Sequence, residues 1–223
     1  MTKLSNNVQP QNEIRDVLFG DLPVSEWPKE STPSNEQPWS SFSEARNQLN
    51  SDRLQEAVHI YQRILDMPDL ESRHYLQAWH FLREVGFTPD PVVAKQILGV
   101  VVEVALAEGL DIVAAYSDNT ARYFNFSGAG VVWDAPDNSL NEEIDIVLHA
   151  GKVVVGQIGP WEGERPPAPP IGHARISMLT PSGLHFGEGP YAGLVNDQFG
   201  GPVISAAIGL MRSLIAITKR NQD

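Results

Sequence analysis

"DPVVAKQILGVVVEVALAEG", residues 90–109, decides where helix gives way to sheet. Asp90-Pro91 is a helix-start pair, with the aspartate as N-cap and the proline in the first turn. Gly109 sits where a C′ glycine belongs. The valines of this stretch also suit a strand, and that alternative stays open. Its length and its closing glycine favour a helix running to Glu108.

Past Gly109 the period changes from helical to alternating. "LDIVAAYS" (110–117) and "TARYFNFS" (120–127) flank Asp118-Asn119, a hairpin-turn pair. "SGAG" (127–130) turns the chain again before "VVWD". "SLNE" (139–142) has the capping-box form. The helix behind it carries Leu140, Ile144, Val147, Leu148, Gly151, Val155 and Ile158 on one face. "HARISMLT" and "GLHFGEG" read as two strands turned at Pro181-Ser182-Gly183. A last helix over about 202–219 shows Val203, Ile204, Ala207, Ile208, Met211, Leu214 and Ile215 on one face. Runs of antiparallel strands interrupted by helices predict an α+β domain over 89–223, a mostly antiparallel sheet packed with helices.

Upstream, residues 39–88 form a helical region. "SFSE" (41–44) is a second capping box, "NSD" (50–52) a turn, and Pro68 a stop. A third helix runs from about Glu71 to Val85, with Gly86 as its C′ glycine. Residues 1–38, rich in Asn, Gln, Ser, Pro and Glu, read as a poorly ordered arm. Within it, "IRDVLFGDLPVSEW" (14–27) is too apolar for a free tail. It either covers a groove on its own domain or docks on a partner, and the first is favoured.

The 223 residues include no cysteine, which excludes disulfides, thiolate metal sites and cysteine nucleophiles. The polar N-terminus lacks the apolar run of a signal peptide. The apolar run 201–217 carries Arg212 in its middle and reads as a core helix, so no membrane is expected. A formal charge of −12 without a basic stripe argues against nucleic acid. A soluble cytoplasmic protein without a cofactor is the expectation.

Three resemblances follow from these patterns. Ala45, Ala57, Tyr61 and Pro68 fall near the small, small, aromatic and proline positions of a tetratricopeptide hairpin, over one repeat. The element order from residue 91 resembles profilin-like domains, and especially the roadblock/dynein-light-chain group. That resemblance implies a dimerising platform with a protein partner, a small GTPase among the options. The chain as a whole also resembles an uncharacterised bacterial protein family.

"GPWEGERPPAPPIGH" (159–173) carries five prolines and should form a stiff strap, with Trp161 anchoring it by burying its ring. On the strand 121–126, alternation puts Arg122, Phe124 and Phe126 on one face, with Tyr123 and Asn125 on the other. With Trp133 they make a candidate interface, since arginine and aromatic residues dominate such anchors. The leading expectation is a protein-interaction adaptor or regulatory subunit. The alternative is a small-molecule sensor with a cavity between sheet and strap. Arg122, Tyr123, Trp161 and Arg175 would converge there, with His173 and His185 in the same pocket. A third reading is a metal-dependent hydrolase using His173 and His185, with Glu188 and Asp197 as carboxylate partners. Ser127 and Ser182 lie in glycine turns, where serine serves the backbone.

Overall fold

A computed structural model describes residues 4–5, 11–29 and 35–220. It has an α+β architecture with the helical region first. The elements are β1 (Leu4–Ser5), α1 (Gln11–Phe19), α2 (Trp39–Leu49), α3 (Leu54–Leu65), α4 (Ser72–Glu84) and the single turn α5 (Pro91–Ala94). Then come β2 (Gly99–Leu106), β3 (Gly109–Tyr116), β4 (Ala121–Phe124), β5 (Gly130–Trp133) and α6 (Asn141–Val155). The chain closes with β6 (His173–Thr180), β7 (Gly183–Pro190), α7 (Tyr191–Val195) and α8 (Gly200–Arg220). The antiparallel sheet runs β1-β5-β4-β3-β2-β6-β7.

The helix expected through Glu108 is instead a single turn followed by a central strand. Asp90 caps as read, its carboxylate accepting the Val92 N–H at 2.8 Å. The helix ends at Ala94, and the valine run forms β2, paired with β3 on one side and β6 on the other. A strand buried on both faces needs no polar alternation, so it reads as an apolar run. Gly109 does not stop a helix; it opens β3 directly opposite Leu106.

Both faces of the sheet are covered. Val100, Val102, Val113, Trp133, Ile176 and Met178 pack against α6 and α8. Val101, Ala105, Ile112, Ala114, Tyr116 and Leu179 pack against α1 and the Leu76 side of α4. A third core, with Phe42, Ala57, Tyr61, Ile64 and Phe81, binds α2, α3 and the far side of α4. α4 is thus a shared wall, which ties the helical region to the sheet. By length and composition α8 could cross a membrane over Gly200–Thr218, yet Val203, Ile204, Ala207, Leu210 and Leu214 are buried on the sheet.

Residues 11–29 are part of this fold rather than a loose arm. Ile14, Leu18, Phe19 and Leu22 are buried. The buried Tyr116 hydroxyl donates to the Leu18 carbonyl at 2.7 Å, and Gln77 brackets Leu22 by accepting its N–H and donating to its carbonyl. The remainder of the arm, 1–3, 6–10 and 30–34, lies outside the described residues.

Two expected capping boxes are not formed. α2 starts at Trp39, before Ser41, whose hydroxyl donates to Gln37 Oε1. α6 starts at Asn141 after Leu140, without a side-chain cap. Gly86 fills its expected role: at φ +83° it closes α4, with Gly86 N–H donating to Arg83 and Phe87 N–H to Leu82. These are the two bonds of a Schellman ending. A methyl at Gly86 would meet nothing within 4 Å, so only the backbone conformation resists it. Gly86→Ala should therefore cost about 1 kcal/mol, read as a lower urea midpoint at unchanged slope.

Candidate functional site

The strap crosses the α1 side of the sheet, and three arginines pin it there. Glu103 on β2 faces Arg175 on β6 across the ladder, and both are buried. Arg15 of α1 completes the cluster, its Nε donating to Glu103 Oε1 at 2.6 Å. Arg175 also pairs with Glu188 on β7. Both arginines also donate to the strap: Arg15 to the Pro166 carbonyl at 2.9 Å, Arg175 to the Pro167 carbonyl at 2.7 Å. An extended proline-rich segment makes no internal hydrogen bonds, so its carbonyls are open to the guanidinium donors. Within the strap, Arg165 bonds Asp16 and Asp21 at 2.8 and 2.7 Å, and lies over the Phe19 ring at 4.5 Å.

N-terminal to this clamp the strap is tied to β7 by the Trp161 backbone N–H on the Leu184 carbonyl. Residues 160–165, the Gly20-Asp21 turn after α1, the end of α4 and the β6–β7 turn border a cleft of about 650 Å³. Leu76, His80 and Arg83 line it from one face of α4, at helical spacing. Leu179 and Leu184 make part of the apolar wall, and Thr180 and Ser182 bring hydroxyls.

Arg83 is the unusual group. Among the described residues it makes one hydrogen bond, Nη1 to the Pro181 carbonyl at 2.8 Å, and no ion pair. Burial pulls its pKa down to about 10, and the charges of Asp21 and Glu84 offset that only in part. A guanidinium carries five donors, so a residue lining the cleft with one such bond has donors to spare. Burial, helped by the charge of Arg83, lowers His80 to about 4, which keeps its ring neutral at pH 7. Burial raises the Glu84 carboxyl, with Arg83 opposing.

Behind the turn, Ser182 Oγ lies 3.1 Å from His185 Nε2 and 2.9 Å from Thr180 Oγ1. His185 is fully buried, and burial lowers its pKa. Among the described residues its Nδ1 has no hydrogen-bonded carboxylate to orient the ring, so these residues assemble no triad.

The residues expected to act together are dispersed. Arg122 and Trp133 are buried, on opposite faces of the sheet, and Arg122 is spent on the Trp133 carbonyl and Asp134. Phe124 is half-buried against the α1-side core. Phe126 is exposed, but it lies beyond the end of β4. These four side chains form no common surface, because both sheet faces are already covered by helices. Of the expected pocket, Trp161 lines the cleft and Arg175 sits beneath the strap. Tyr123 packs on the opposite face, toward α6 and α8. Trp161 anchors the strap less by burial than expected: its side chain stays 49% exposed against Phe186, its indole N–H donates to the Glu164 carbonyl at 3.1 Å, and its backbone N–H donates to the Leu184 carbonyl at 2.6 Å.

The His173–His185 metal pair is excluded by register. His173 pairs with Pro190, and His185 pairs with Met178. Five residues along a strand separate them by ~17 Å. Glu188 is engaged by Arg175, and Asp197 accepts the Phe199 and Gly200 N–H groups at the start of α8.

The sequence reading missed Asp21, His80 and Arg83 as cleft residues. The spacing of Leu76, His80 and Arg83 places them on one helical face, and that signal was available. Compared with known protein families, curated proteins and solved structures, the chain matches none.

Proposed function

We propose that this is a binding protein for a small polar molecule, and that the cleft beneath the N-terminal half of the strap is its site. The observation that carries the reading is Arg83, a guanidinium lining the cleft that, among the described residues, donates to one acceptor, the Pro181 carbonyl. Ligand sites are concave, largely apolar and furnished with a few convergent polar groups. This cleft has apolar walls from Leu76, Leu179 and Leu184 and polar groups from four separate parts of the chain. The arginine clamp on the strap supports a preformed site, which lowers the ordering cost of binding.

The test is a thermal-shift screen of polar metabolites on the wild type and on Glu162→Trp. Glu162 is an exposed strap residue lining the cleft, so a bulky side chain there obstructs the site with little cost to folding. A ligand at 100 times its Kd adds about 2.7 kcal/mol of stability. At least one compound should raise the wild-type Tm and leave the variant unmoved. Equal shifts in both proteins, or none in the wild type, would remove the reading.

A second reading, protein interaction, rests on a different surface from the 121–133 strand. Ile146 and Val153 of α6 are 52% and 48% exposed and, with Phe199, border an open groove between α6 and the start of α8. Exposed apolar residues grouped this way favour association, with a second copy or another protein as partner. If this surface acts, Ile146→Glu should change the sedimentation behaviour of the full chain or its capture of a partner. It should leave ligand-induced Tm shifts intact.

A further inference from the structure

The charges around the cleft narrow the chemistry of its ligand. Four acids line it, Asp21, Glu84, Glu162 and Glu164, against two arginines. Arg165 is consumed by Asp16 and Asp21, which also removes Asp21 from the count. Among the described residues, what remains is Arg83, with donors to spare beyond the Pro181 carbonyl, and three carboxylates: Glu84 on α4, whose Oε1 lies 3.6 Å from His80 Nε2, and Glu162 and Glu164 on the strap. A simple anion would meet Arg83 but be repelled by the three acids. A simple cation would suit the acids but leave Arg83 desolvated without a partner, which is costly in a cleft. A molecule carrying both charges answers both needs. Arg83 suits a carboxylate by its planar fork. The carboxylates suit an ammonium. Leu76, Leu179 and Leu184 between them suit an apolar side chain, and about 650 Å³ exceeds the needs of a single small amino acid.

We propose that the cleft binds a zwitterion of the amino-acid or short-peptide class, its carboxylate on Arg83, its ammonium toward Glu84 and the strap glutamates, and its apolar side chains on the leucine wall. This rests on the small-molecule reading above and specifies its ligand.

Isothermal titration of the full chain at low salt tests it with four probes: leucine, leucyl-leucine, N-acetyl-leucyl-leucine and leucyl-leucinamide. The first two are zwitterions, the third keeps only the carboxylate and the fourth only the ammonium. A charge-assisted hydrogen bond is worth about 1.5–3 kcal/mol, so each cap should weaken the dipeptide by ~10-fold or more. Arg83→Gln should abolish the advantage of leucyl-leucine over its amide while leaving the circular dichroism and Tm near the wild type. Should Arg83→Gln lose the fold, the cap comparison on the wild type still decides. Equal binding of capped and uncapped peptides at the cleft would overturn the zwitterion and keep the small-molecule reading. Silence with all four probes, while the metabolite screen yields a cleft ligand, would do the same. Silence in both experiments would overturn both.

Discussion

Replacing Glu103 by alanine is expected to destabilise the folded chain by about 3–5 kcal/mol, the cost of leaving buried charge without its partner. Glu103 is 0% exposed and stands between two buried arginines, at 2.6 Å from Arg15 and 3.8 Å from Arg175. Its carboxylate lets two guanidinium groups sit on an otherwise apolar sheet face. Without it, Arg15 must shift toward water and take α1 with it, because Ile14 and Leu18 belong to the same helix. The strap loses its hold at Pro166 in the same step. The effect should therefore be cooperative: urea unfolding of the single variants and the Arg15→Ala/Glu103→Ala double variant should give a large coupling energy. The double variant should recover part of the loss, since it buries one unpaired charge fewer. A loss under about 1 kcal/mol for Glu103→Ala would mean that the cluster is solvated and that the strap is not clamped.

The second large effect is acid destabilisation through His74 and His80. Both are held near pKa 4 against an ordinary value of 6.5. For His74 burial is the main cause, with Glu71 opposing it; its ring lies edge-on to Trp39 at 4.7 Å. For His80 burial is again first, and Arg83 adds to it. The sign follows from proton uptake. Below pH 6.5 the unfolded chain binds protons that the folded chain refuses, so stability is complete above 6.5 and falls until about pH 4. Each histidine should remove about 2 kcal/mol by pH 5. Urea midpoints at pH 7, 6 and 5 should show the decline, and His80→Gln should abolish about half of it. Stability unchanged from pH 7 to 5 would contradict the burial of both rings. Because His80 lines the cleft, a ligand that excludes further water from it should deepen the effect.

The antiparallel hairpins, α6 and α8 were legible because one physical rule governed each. β3 and β4 flank an Asp-Asn turn, β6 and β7 a Pro-Ser turn, and the two helices show one apolar stripe. β2 was misread because it is the most buried strand. Val100 to Val102 face helices on both sides, so nothing polar marks the period, and a hairpin glycine occupies the place of a helix-ending one. The apolar character of 14–27 was plain, and its place on the sheet follows from the same property. The expected interface failed for a related reason: Arg122 and Trp133 looked like surface anchors only while the cover over each sheet face was unknown.

The cleft was harder to read. Asp21, Arg83, the strap and Ser182 are far apart in the chain, and they meet only because α4 serves as a wall to both the helical region and the sheet. The strap was visible as a stiff segment. Its attachment by Arg15 and Arg175 was not, since a guanidinium bonded to proline carbonyls leaves no local pattern. Trp161 is the large residue of the strap, whereas the group with donors to spare, among the described residues, is the Arg83 guanidinium.

Native mass spectrometry of the full chain, after incubation with a small-molecule extract and gentle desalting, tests the central claim most directly. The cleft predicts one small molecule per chain on the wild type, lost from Glu162→Trp and reduced in Arg83→Gln. A wild-type chain that stays bare, or a ligand that binds all three proteins equally, would contradict it.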